Sequence, residues 1–400
     1  MEAKRMLAHR LERMQESQTV ALNSTLARLK REGKDVVALG AGEPDFNTPA
    51  HINEAAIAAI HQGYTKYTAA EGSFELREAI AAWLQDRYQA RYTPGEIVVT
   101  PGAKYAVFEA ILAVCDPGSE VILPSPYWVS YPEMIQLADA TLRCIEPADR
   151  DGLKITAAEL QAAITDKTRL VILNSPSNPS GAVYRRDELA ALVEVIRAAG
   201  VWLLADEIYD QIVFDEAGYF SMSQFPEIRD QLLLVNGVSK SCAMTGWRIG
   251  FLAAPAAVAA AVIKYQGHTV SNPTSISQKA ALAGYTGSKA FVAEMTAAFR
   301  ARRDYVFQRL QAIPRVRCLL PQGAFYLFPD VSGYYGRKQR GHVITGSVTL
   351  CQYLLQEFGV AIVPGVAFGM DTHVRLSYAT SMEILEKALD RIEHGLKSLL

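Results

Sequence analysis

The sequence has little cysteine, no excess charge of either sign and no long apolar segment. Its 400 residues include five cysteines, an odd number scattered along the chain, which argues against a disulfide framework. The 40 basic and 42 acidic side chains leave a formal net charge of −2, which favours neither a nucleic-acid partner nor a membrane surface. No HExxH, CxxC or GxGxxG motif occurs, so neither a metal site nor a dinucleotide-binding dehydrogenase is expected.

Signals for export or membrane insertion are also missing. The longest apolar run, at 251–263, is interrupted by Pro255 and is shorter than the roughly 20 residues that a membrane-spanning helix needs. The charged residues 1–5 lead into the equally charged segment 11–16 rather than into an apolar one, so no secretory signal is expected. The sequence therefore predicts a cytoplasmic protein with no membrane partner.

The hydrophobic pattern alternates between helix-like and strand-like segments. Alanine-rich stretches at 50–61, 74–89 and 186–199 are separated by short runs of β-branched residues and leucine. This alternation predicts an α/β fold, with a mostly parallel sheet sandwiched by helices on both faces. The predicted strands contain residues 97–99, 121–123, 170–173, 201–204, 232–235 and 249–252.

After about residue 290 the pattern changes to that of a second, smaller α+β domain. Its predicted elements are a long charged helix at about 289–312, short strands near 316–328 and 360–363, and a closing helix from about residue 382. At the other end of the chain, Leu7, Leu11 and Met14 recur at helical spacing, which predicts a short amphipathic arm.

Residues 332–347 are rich in glycine and charge and predict a mobile loop. We favour solvated side chains for its basic residues, and the alternative is that they reach an acidic substrate when the domain closes. These basic residues are Arg337, Lys338 and Arg340.

A lysine stands between two predicted strands in the segment GVSKSCAMTGWRIG, residues 237–250. Burying an ammonium group at a strand end is energetically unfavourable, so a lysine at this position indicates a function. Burial also lowers the pKa of the amine, which suits Schiff-base chemistry. Eight residues after Lys240, Arg248 offers a planar fork for a phosphate, and Ser239 adds a hydroxyl. Taken alone, surface ion pairs would explain Lys240 and Arg248 equally well.

Two further segments point to one cofactor. Asp206 and Tyr209 follow the strand at 201–204, at the end of the strand where ligand sites form in α/β sheets. Asn178 lies in the turn-forming segment NSPSNPSG, residues 174–181. Pyridoxal 5′-phosphate requires a Schiff-base lysine, a phosphate-binding arginine, a carboxylate for the ring nitrogen and two donors for the ring oxygen. The segments together predict a pyridoxal-phosphate site.

With these motifs the chain resembles the fold-type I, pyridoxal-phosphate-dependent class I aminotransferases, in particular the bacterial aspartate aminotransferase group. The resemblance runs from 38–46 to 373–380 and so covers nearly the whole chain. It implies transfer of an amino group from an amino acid to a 2-oxo acid. It also implies a homodimer with shared active sites, a large cofactor domain at 49–289, and a small domain built from 1–48 and 290–400.

The resemblance implies a role for each motif residue. Lys240 would hold the cofactor as a Schiff base and then move the proton between the substrate Cα and the cofactor C4′. Asp206 would keep the ring nitrogen protonated, so that the ring accepts electrons from the substrate. Tyr209 and Asn178 would bond the ring oxygen and lower the pKa of the Schiff base.

The phosphate and the ring need further partners. The strand and turn at 97–101 predict a helix start, whose first amides would face the phosphate together with Ser239 and Arg248. Trp128 would stack on the ring, with core packing as the alternative, and Tyr67 would reach the phosphate of the neighbouring subunit, with a plain interface contact as the alternative. The helix-start amides belong to Gly102, Ala103 and Lys104.

The substrate carboxylate needs a bidentate partner, which the resemblance assigns to Arg375. The alternative for this arginine is an exposed charge on an edge strand. The full set of expected substrate contacts is Gly42, Lys104, Trp128, Asn178 and Arg375.

Lys104 bears on the choice of substrate. A cation in the first turn of a helix is disfavoured by the helix dipole, and an anionic neighbour would offset this. In the group that the chain resembles, a lysine here contacts the distal carboxylate of the substrate, so we favour aspartate as donor and 2-oxoglutarate as acceptor. The alternative is a lysine that points into solvent. Prephenate or aromatic transamination stays open, although Gln15 stands where relatives with that activity carry a basic residue.

Two other functions share part of this pattern. A β-lyase or decarboxylase on the same fold would use most of the same residues, and the sequence separates these enzymes poorly from a transaminase. A DNA-binding regulator on this fold would need a basic N-terminal module of several dozen residues ahead of Ala38, where this sequence leaves room for little more than one arm. Cys242, close to Lys240, is expected to be a packed thiol rather than a reactive one.

Overall fold

The computed structural model describes residues 8–14, 18–148, 152–214 and 218–400. The α-helices are α1 (His9–Glu12), α2 (Gln18–Arg31), α3 (Ala50–His61), α4 (Phe74–Tyr88), α5 (Ala103–Val114), α6 (Tyr131–Leu137), α7 (Ala157–Ala163), α8 (Arg186–Ala199), α9 (Ala256–Thr269), α10 (Ser275–Thr286), α11 (Ala290–Gln311), α12 (Ser347–Phe358) and α13 (Met382–Lys397). The β-strands are β1 (Val37–Ala38), β2 (Ile97–Thr100), β3 (Glu120–Pro124), β4 (Thr141–Ile145), β5 (Thr168–Asn174), β6 (Trp202–Asp206), β7 (Leu232–Gly237), β8 (Gly250–Ala253), β9 (Tyr326–Leu327), β10 (Lys338–Gln339), β11 (His342–Val343), β12 (Val360–Ala361), β13 (Val363–Pro364) and β14 (Val374–Ser377).

The central sheet confirms the predicted mostly parallel α/β fold. Its strand order is β2-β8-β7-β6-β5-β3-β4. The strands from β7 to β4 run parallel to one another, whereas β8 is antiparallel to both β7 and β2. The six predicted strand runs all fall on strands of this sheet. The prediction missed β4, an edge strand whose residues are exposed or half-buried and therefore lack an apolar run.

Helices cover the sheet on both faces because alternate residues of each inner strand point to opposite sides. In β3, Val121 and Leu123 belong to the core that α5 and α9 cover, whereas Ile122 belongs to the core beneath α4 and α8. All three side chains are buried. Each such aliphatic side chain contributes about 1.5–3 kcal/mol through burial, so the sheet is held rigidly at its centre.

This topology places the predicted functional segments side by side. Because β5, β6 and β7 are parallel, their C-terminal ends meet at one edge of the sheet, where ligand sites form in this class of fold. Asn174 at the end of β5 lies opposite Asp206 at the end of β6. The chain leaves β7 at Gly237 and reaches Lys240 three residues later.

A second packing unit faces that edge. The early strand β1 pairs in parallel with β12, with Val37 opposite Val360. Strands β13, β14 and β9 form an antiparallel sheet, in which Ser377 of β14 lies opposite Tyr326 of β9. Helices α11, α12 and α13 share one hydrophobic core with these strands. The domain boundaries after residues 48 and 289 stay a prediction.

Two peripheral segments differ from expectation. Residues 332–347 contain the antiparallel hairpin β10–β11 rather than a loop without regular structure. Arg340 in the hairpin turn forms a surface ion pair with Glu357 of α12, at 3.2 Å between Nη1 and Oε2, and its side chain stays 55% exposed, as the favoured prediction of a solvated side chain requires. In the N-terminal arm, α1 is a single turn and Leu11 is half exposed. Leu7 and Gln15 lie outside the described residues.

No helix in the part of the chain that the structure describes is long and apolar enough to cross a bilayer. The same residues contain no group of three or more His, Cys, Asp or Glu side chains that could hold a metal ion. The five cysteines are free, and three of them, including Cys242, are buried.

Candidate active site

A cavity of about 710 Å³ lies at the carboxyl edge of the central sheet, where the sheet faces β9 and β14. Most of the residues predicted for the site line this cavity. Gly102 caps the helix that begins at Ala103, directly beside the cavity. The lining residues that the sequence predicted are Gly42, Ala103, Lys104, Trp128, Asn178, Asp206, Tyr209, Ser239, Lys240, Arg248 and Arg375.

Lys240 projects into the cavity from the turn after β7. Its Nζ donates a hydrogen bond to the carbonyl of Gly42 and lies 5.8 Å from the ring centres of both Tyr209 and Phe325. Burial lowers the pKa of the Lys240 amine to about 8, and the carboxylate of Glu43 acts against this shift. A substantial fraction of the amine is therefore neutral near pH 8, and only the neutral form is a nucleophile or a base.

Asp206 lies buried at the floor of the cavity. Its Oδ2 accepts a hydrogen bond of 2.7 Å from the hydroxyl of Tyr131, and its Oδ1 accepts one of 3.2 Å from the backbone N–H of Ile208. Burial raises the pKa of the carboxyl to about 6, while these hydrogen bonds and the charge of Lys240 lower it. A cationic ligand atom beside Asp206 would therefore favour the ionised carboxylate.

One end of the cavity has the properties of an anion site. Helix α5 begins there, and no side chain caps its N-terminus, so its first N–H groups are available to a ligand. Arg248 donates from Nη1 to the carbonyl of Thr245 at 2.9 Å and from Nη2 to the carbonyl of Pro101 at 3.2 Å. These bonds hold the guanidinium at the start of the helix, and they do not support the alternative in which Arg248 forms a surface ion pair.

Two glycines permit this close arrangement. A Cβ on Gly102, whose φ is +88°, would lie 2.4 Å from Nη2 of Arg248. A Cβ on Gly250 would lie 2.2 Å from the backbone nitrogen of Ala103. Glycine is therefore required for the arginine and for strand β8 to approach the helix start.

Arg375 extends from β14 into the opposite side of the cavity and is 2% exposed. Its Nη1 donates to Oδ1 of Asn178 and its Nη2 donates to the carbonyl of Gly40, both at 2.9 Å. Its Nε is buried without a hydrogen-bond partner. A guanidinium has five N–H donors, so N–H groups are left for a bidentate carboxylate. The alternative of an exposed edge charge is wrong, because the side chain is buried.

Asn174 fixes the turn that presents Asn178. The Nδ2 of Asn174 donates to the carbonyl of Asp206 at 2.9 Å, and its Oδ1 accepts from the backbone N–H of Asn178 at 2.8 Å. The side chain at the end of β5 therefore ties the neighbouring strand β6 to the turn. This arrangement sets the position of Asn178 relative to Asp206 and Arg375.

Tyr209 forms a hydrogen bond that the sequence did not predict. Its hydroxyl lies 2.9 Å from the hydroxyl of Tyr326, and both side chains are buried. The guanidinium carbon of Arg375 lies 4.6 Å from the centre of the Tyr326 ring. Tyr326 therefore connects the arginine of β14 with the tyrosine that follows β6.

Trp128 and Lys104 lie together at the side of the cavity. The Trp128 ring packs edge-to-face against Tyr131, with 5.2 Å between ring centres, so it both contacts the core and lines the cavity. The Nζ of Lys104 lies 5.0 Å from the centre of the Trp128 ring. Burial, together with the charge of Arg248, lowers the pKa of Lys104. Lys104 lines the cavity wall but keeps part of its surface exposed to solvent, so the alternative of a lysine that points into solvent stays open.

Tyr67 is the predicted residue that this chain does not bring to the cavity. Its side chain is 89% exposed. It lies in a separate surface depression that also contains Tyr64 and Phe74. A single copy of the chain therefore leaves Tyr67 remote from Lys240.

Some residues of the cavity were not expected to belong to the site. Tyr131 lies three residues after Trp128, but nothing in the local sequence indicates that its hydroxyl meets Asp206. Tyr326 and Glu43 carry no local signal of function, since their place depends on contacts between distant segments. Glu43 accepts a hydrogen bond of 2.7 Å from the hydroxyl of Thr245 in the lysine segment. Only the tertiary structure identifies these residues.

The fold and the cavity define an α/β protein whose candidate site places the lysine Lys240 in one cavity with an uncapped helix start and two arginines. The chain belongs to the family of class I and II aminotransferases, because the sequence model of that family matches residues 34–392. The predicted family resemblance and the predicted enzyme class are thereby confirmed.

Individual relatives are similar over nearly the whole length. An aspartate aminotransferase of Bacillus sp. (strain YM-2) is 42% identical, over 98% of this chain and 100% of that protein. An aspartate/prephenate aminotransferase of Cereibacter sphaeroides is 44% identical, over 97% of this chain and 98% of that protein. Among solved structures, the aspartate aminotransferase from Thermus thermophilus with maleate matches with a TM-score of 0.92 at 40% identity, over 98% of this chain and 100% of that chain.

Proposed function

We propose that this aminotransferase binds pyridoxal 5′-phosphate and transfers the amino group of aspartate to 2-oxoglutarate. The observation that carries the proposal is a single cavity that combines a lysine of lowered pKa, a buried carboxylate and an uncapped helix N-terminus beside an arginine. The names of the similar proteins support aspartate as the donor. The aspartate/prephenate relative supports prephenate as a second acceptor.

The residues of the cavity fit this cofactor. The first amides of α5, with Ser239 and Arg248, would hold the phosphate, since together they supply N–H and O–H donors and one positive charge. The need for glycine at position 102 supports a cradle of this kind, because a Cβ there would clash with the guanidinium of Arg248 at the helix start. Asp206 would face the ring nitrogen, Tyr209 and Asn178 the ring oxygen, and Trp128 one ring face. Lys240 would hold the cofactor covalently.

The chemistry that the bound cofactor supplies is the storage of the amino group between two half-reactions and the withdrawal of electrons from the substrate Cα. Arg375 orients the substrate by binding its α-carboxylate, assisted by the backbone of Gly42. Lys240 removes the proton from the substrate Cα and later returns one, acting as base and then as acid. Asp206 holds a proton on the ring nitrogen through its negative charge.

The rate of cofactor uptake is expected to depend on pH in a way that reflects the pKa of the Lys240 amine. Because burial lowers the pKa of the amine to about 8, the rate at which cofactor-free protein gains visible absorption should rise with a midpoint near pH 8 and level off above about pH 9. Nα-acetyl-lysine amide, measured in parallel, is the control, and its rate should still rise at pH 9. If the rate of uptake by the protein still rises between pH 9 and pH 10, the lowered pKa of Lys240 is contradicted. A colourless protein after cofactor addition would refute the proposed cofactor.

Lys104 is proposed to bind the distal carboxylate of the substrate. Its ammonium lies in the cavity wall between the helix start and Trp128. Among the described residues, no anion is found among the groups that shift the pKa of Lys104, and the neighbouring charge of Arg248 lowers that pKa. A dicarboxylate substrate would supply the missing charge, and maleate in the Thermus thermophilus structure is a dicarboxylate.

Lys104→Ala should therefore lower the activity with aspartate more than the activity with uncharged amino donors. We expect kcat/KM for aspartate to fall about 10- to 100-fold, the value of a charge-assisted contact, while kcat/KM for alanine or phenylalanine changes less than about threefold. The measurement is a panel of amino donors against 2-oxoglutarate. Lys264→Ala, an exposed lysine of α9, is the matched control and should match the wild type. An equal loss for every donor, or a wild type that prefers alanine, would contradict the dicarboxylate assignment.

The enzyme is proposed to act as a homodimer with shared sites. The exposed aromatic side chains Tyr67 and Phe74 lie in the same surface depression and support a protein interface there, since adjoining exposed apolar groups mark interaction surfaces. Tyr67 would then reach the phosphate end of the partner's cavity.

Mixing subunits that carry Tyr67→Ala with subunits that carry Lys240→Ala tests this arrangement. If Tyr67 acts across the interface, subunits carrying Tyr67→Ala and subunits carrying Lys240→Ala form hybrid dimers with one intact site each. Random exchange then restores about a quarter of the wild-type sites, since half of the dimers are hybrids. Activity of the mixture that only equals the sum of the two variants would contradict a shared site.

A further inference from the structure

The hydrogen bond between Tyr209 and Tyr326 joins the two packing units. Tyr209 follows β6 of the central sheet, whereas Tyr326 belongs to β9 beside the strand that carries Arg375. The two hydroxyl oxygens lie 2.9 Å apart, and the rings pack edge-to-face with 5.9 Å between their centres. Each phenol hydroxyl carries one hydrogen, so one hydroxyl donates in this bond and the other accepts.

The direction of this bond decides what Tyr209 can do. If Tyr209 donates to Tyr326, its only hydrogen is used and it has none for a ligand. We propose that Tyr326 is a positioning residue that donates its hydrogen bond to Tyr209 and so leaves the hydrogen of Tyr209 to point at the ring oxygen of the cofactor. This inference rests on the proposed cofactor and on the proposed role of Tyr209.

The surroundings of the pair favour this direction. The Arg375 guanidinium lies over the Tyr326 ring at 4.6 Å, and a cation beside a phenol makes its hydroxyl a stronger donor. Burial raises the pKa of both phenols, and the charge of Arg375 acts against this shift in both. A donor bond onto Tyr209 also polarises the Tyr209 hydroxyl and strengthens the bond that it donates in turn. The charged groups that face the pair are Glu43, Asp206, Lys240 and Arg375.

The pH titration of the visible absorption of the holoenzyme tests the proposal without turnover. A stronger donor to the ring oxygen favours its deprotonated form, so Tyr326→Phe should raise the apparent pKa of the absorption change by about 0.3 to 0.7 pH unit. Tyr209→Phe should raise it more. In the Tyr209→Phe background, the further change Tyr326→Phe should have no effect, because the hydroxyl through which Tyr326 acts is gone.

Controls separate this role from general disturbance of the core. Tyr326→Phe keeps the ring against Arg375, so we expect KM for aspartate to change less than about twofold while kcat falls. Tyr378→Phe removes another buried hydroxyl, which donates to the carbonyl of Ala324 at 3.2 Å, and should not move the titration.

Specific outcomes overturn the inference. A fall in the apparent pKa on Tyr326→Phe would mean that Tyr209 donates to Tyr326. An equal rise with and without the Tyr209 hydroxyl would mean that Tyr326 does not act through it. A wild-type protein that gains no visible band refutes the proposed cofactor itself, whereas a band whose titration ignores Tyr326→Phe refutes only the role of Tyr326.

Discussion

Lys240→Ala is expected to lower kcat by roughly 10⁴-fold or more, the largest effect of any single substitution in this chain. The amine is the group that would hold the cofactor and move the proton at the substrate Cα, so its loss removes both covalent and acid–base catalysis. Because Asp206, Arg248 and the start of α5 are unchanged, the variant should still bind pyridoxal 5′-phosphate. The measurement is steady-state turnover with aspartate and 2-oxoglutarate, together with equilibrium dialysis of the cofactor.

Two comparisons make this result specific. Lys397→Ala removes an exposed lysine that pairs with Glu393 of the same helix, and it should leave kcat unchanged. Borohydride reduction followed by peptide mass spectrometry should attach the cofactor to the peptide with Lys240 in the wild type and to no peptide in the variant. Attachment at another lysine, or a loss of turnover below tenfold, would show that Lys240 is not the catalytic amine.

Asp206→Asn is expected to lower kcat by roughly 10²- to 10³-fold, because asparagine has nearly the same shape and lacks the negative charge. The carboxylate would hold a proton on the ring nitrogen, and a neutral amide cannot do so by charge. Tyr131→Phe is the matched control, since it removes only the hydroxyl that donates to Oδ2 of Asp206. We expect a loss of less than about tenfold for it. Equal losses for the two variants would contradict a role for the charge.

The same substitution is expected to change the pH dependence of stability. Burial raises the pKa of Asp206 from 3.8 to about 6 in the cofactor-free protein. Between these values the folded state binds more protons than the unfolded state, so its stability falls as the pH rises, and the loss is complete above about pH 6. Asparagine does not ionise. The Tm of Asp206→Asn minus that of the wild type should therefore increase from pH 4 to pH 8, and a constant difference would contradict the raised pKa.

Helices and strands could be predicted from the local sequence where its hydrophobic pattern was strong. The alanine-rich segments at 50–61 and 186–199 form α3 and α8 with those bounds, because their apolar residues recur at helical spacing over more than ten positions. The apolar runs predicted the strands whose residues are buried on both faces, including the edge strand β2. Strand β4 was missed, because an edge strand with one covered face needs no apolar run.

The hairpin at 338–343 was missed for a related reason. Its short strands contain basic and polar residues, and its turn is held by contacts that lie elsewhere in the sequence. The hydroxyl of Tyr335 donates to the carbonyl of Asp371, and Arg340 pairs with Glu357. Local composition could not distinguish this supported turn from a free loop.

By itself, the sequence determined which of the motif residues meet in one cavity, because each stands in a short motif at the end of a strand, and parallel strands bring such ends together. Lys240, Asp206 and Asn178 could be identified in this way. Only the tertiary structure decided which groups meet across long separations. Arg375 bonds Asn178, 197 positions away, and Tyr209 meets Tyr326, 117 positions away. Those contacts depend on how two packing units face each other, and no local pattern of residues specifies that.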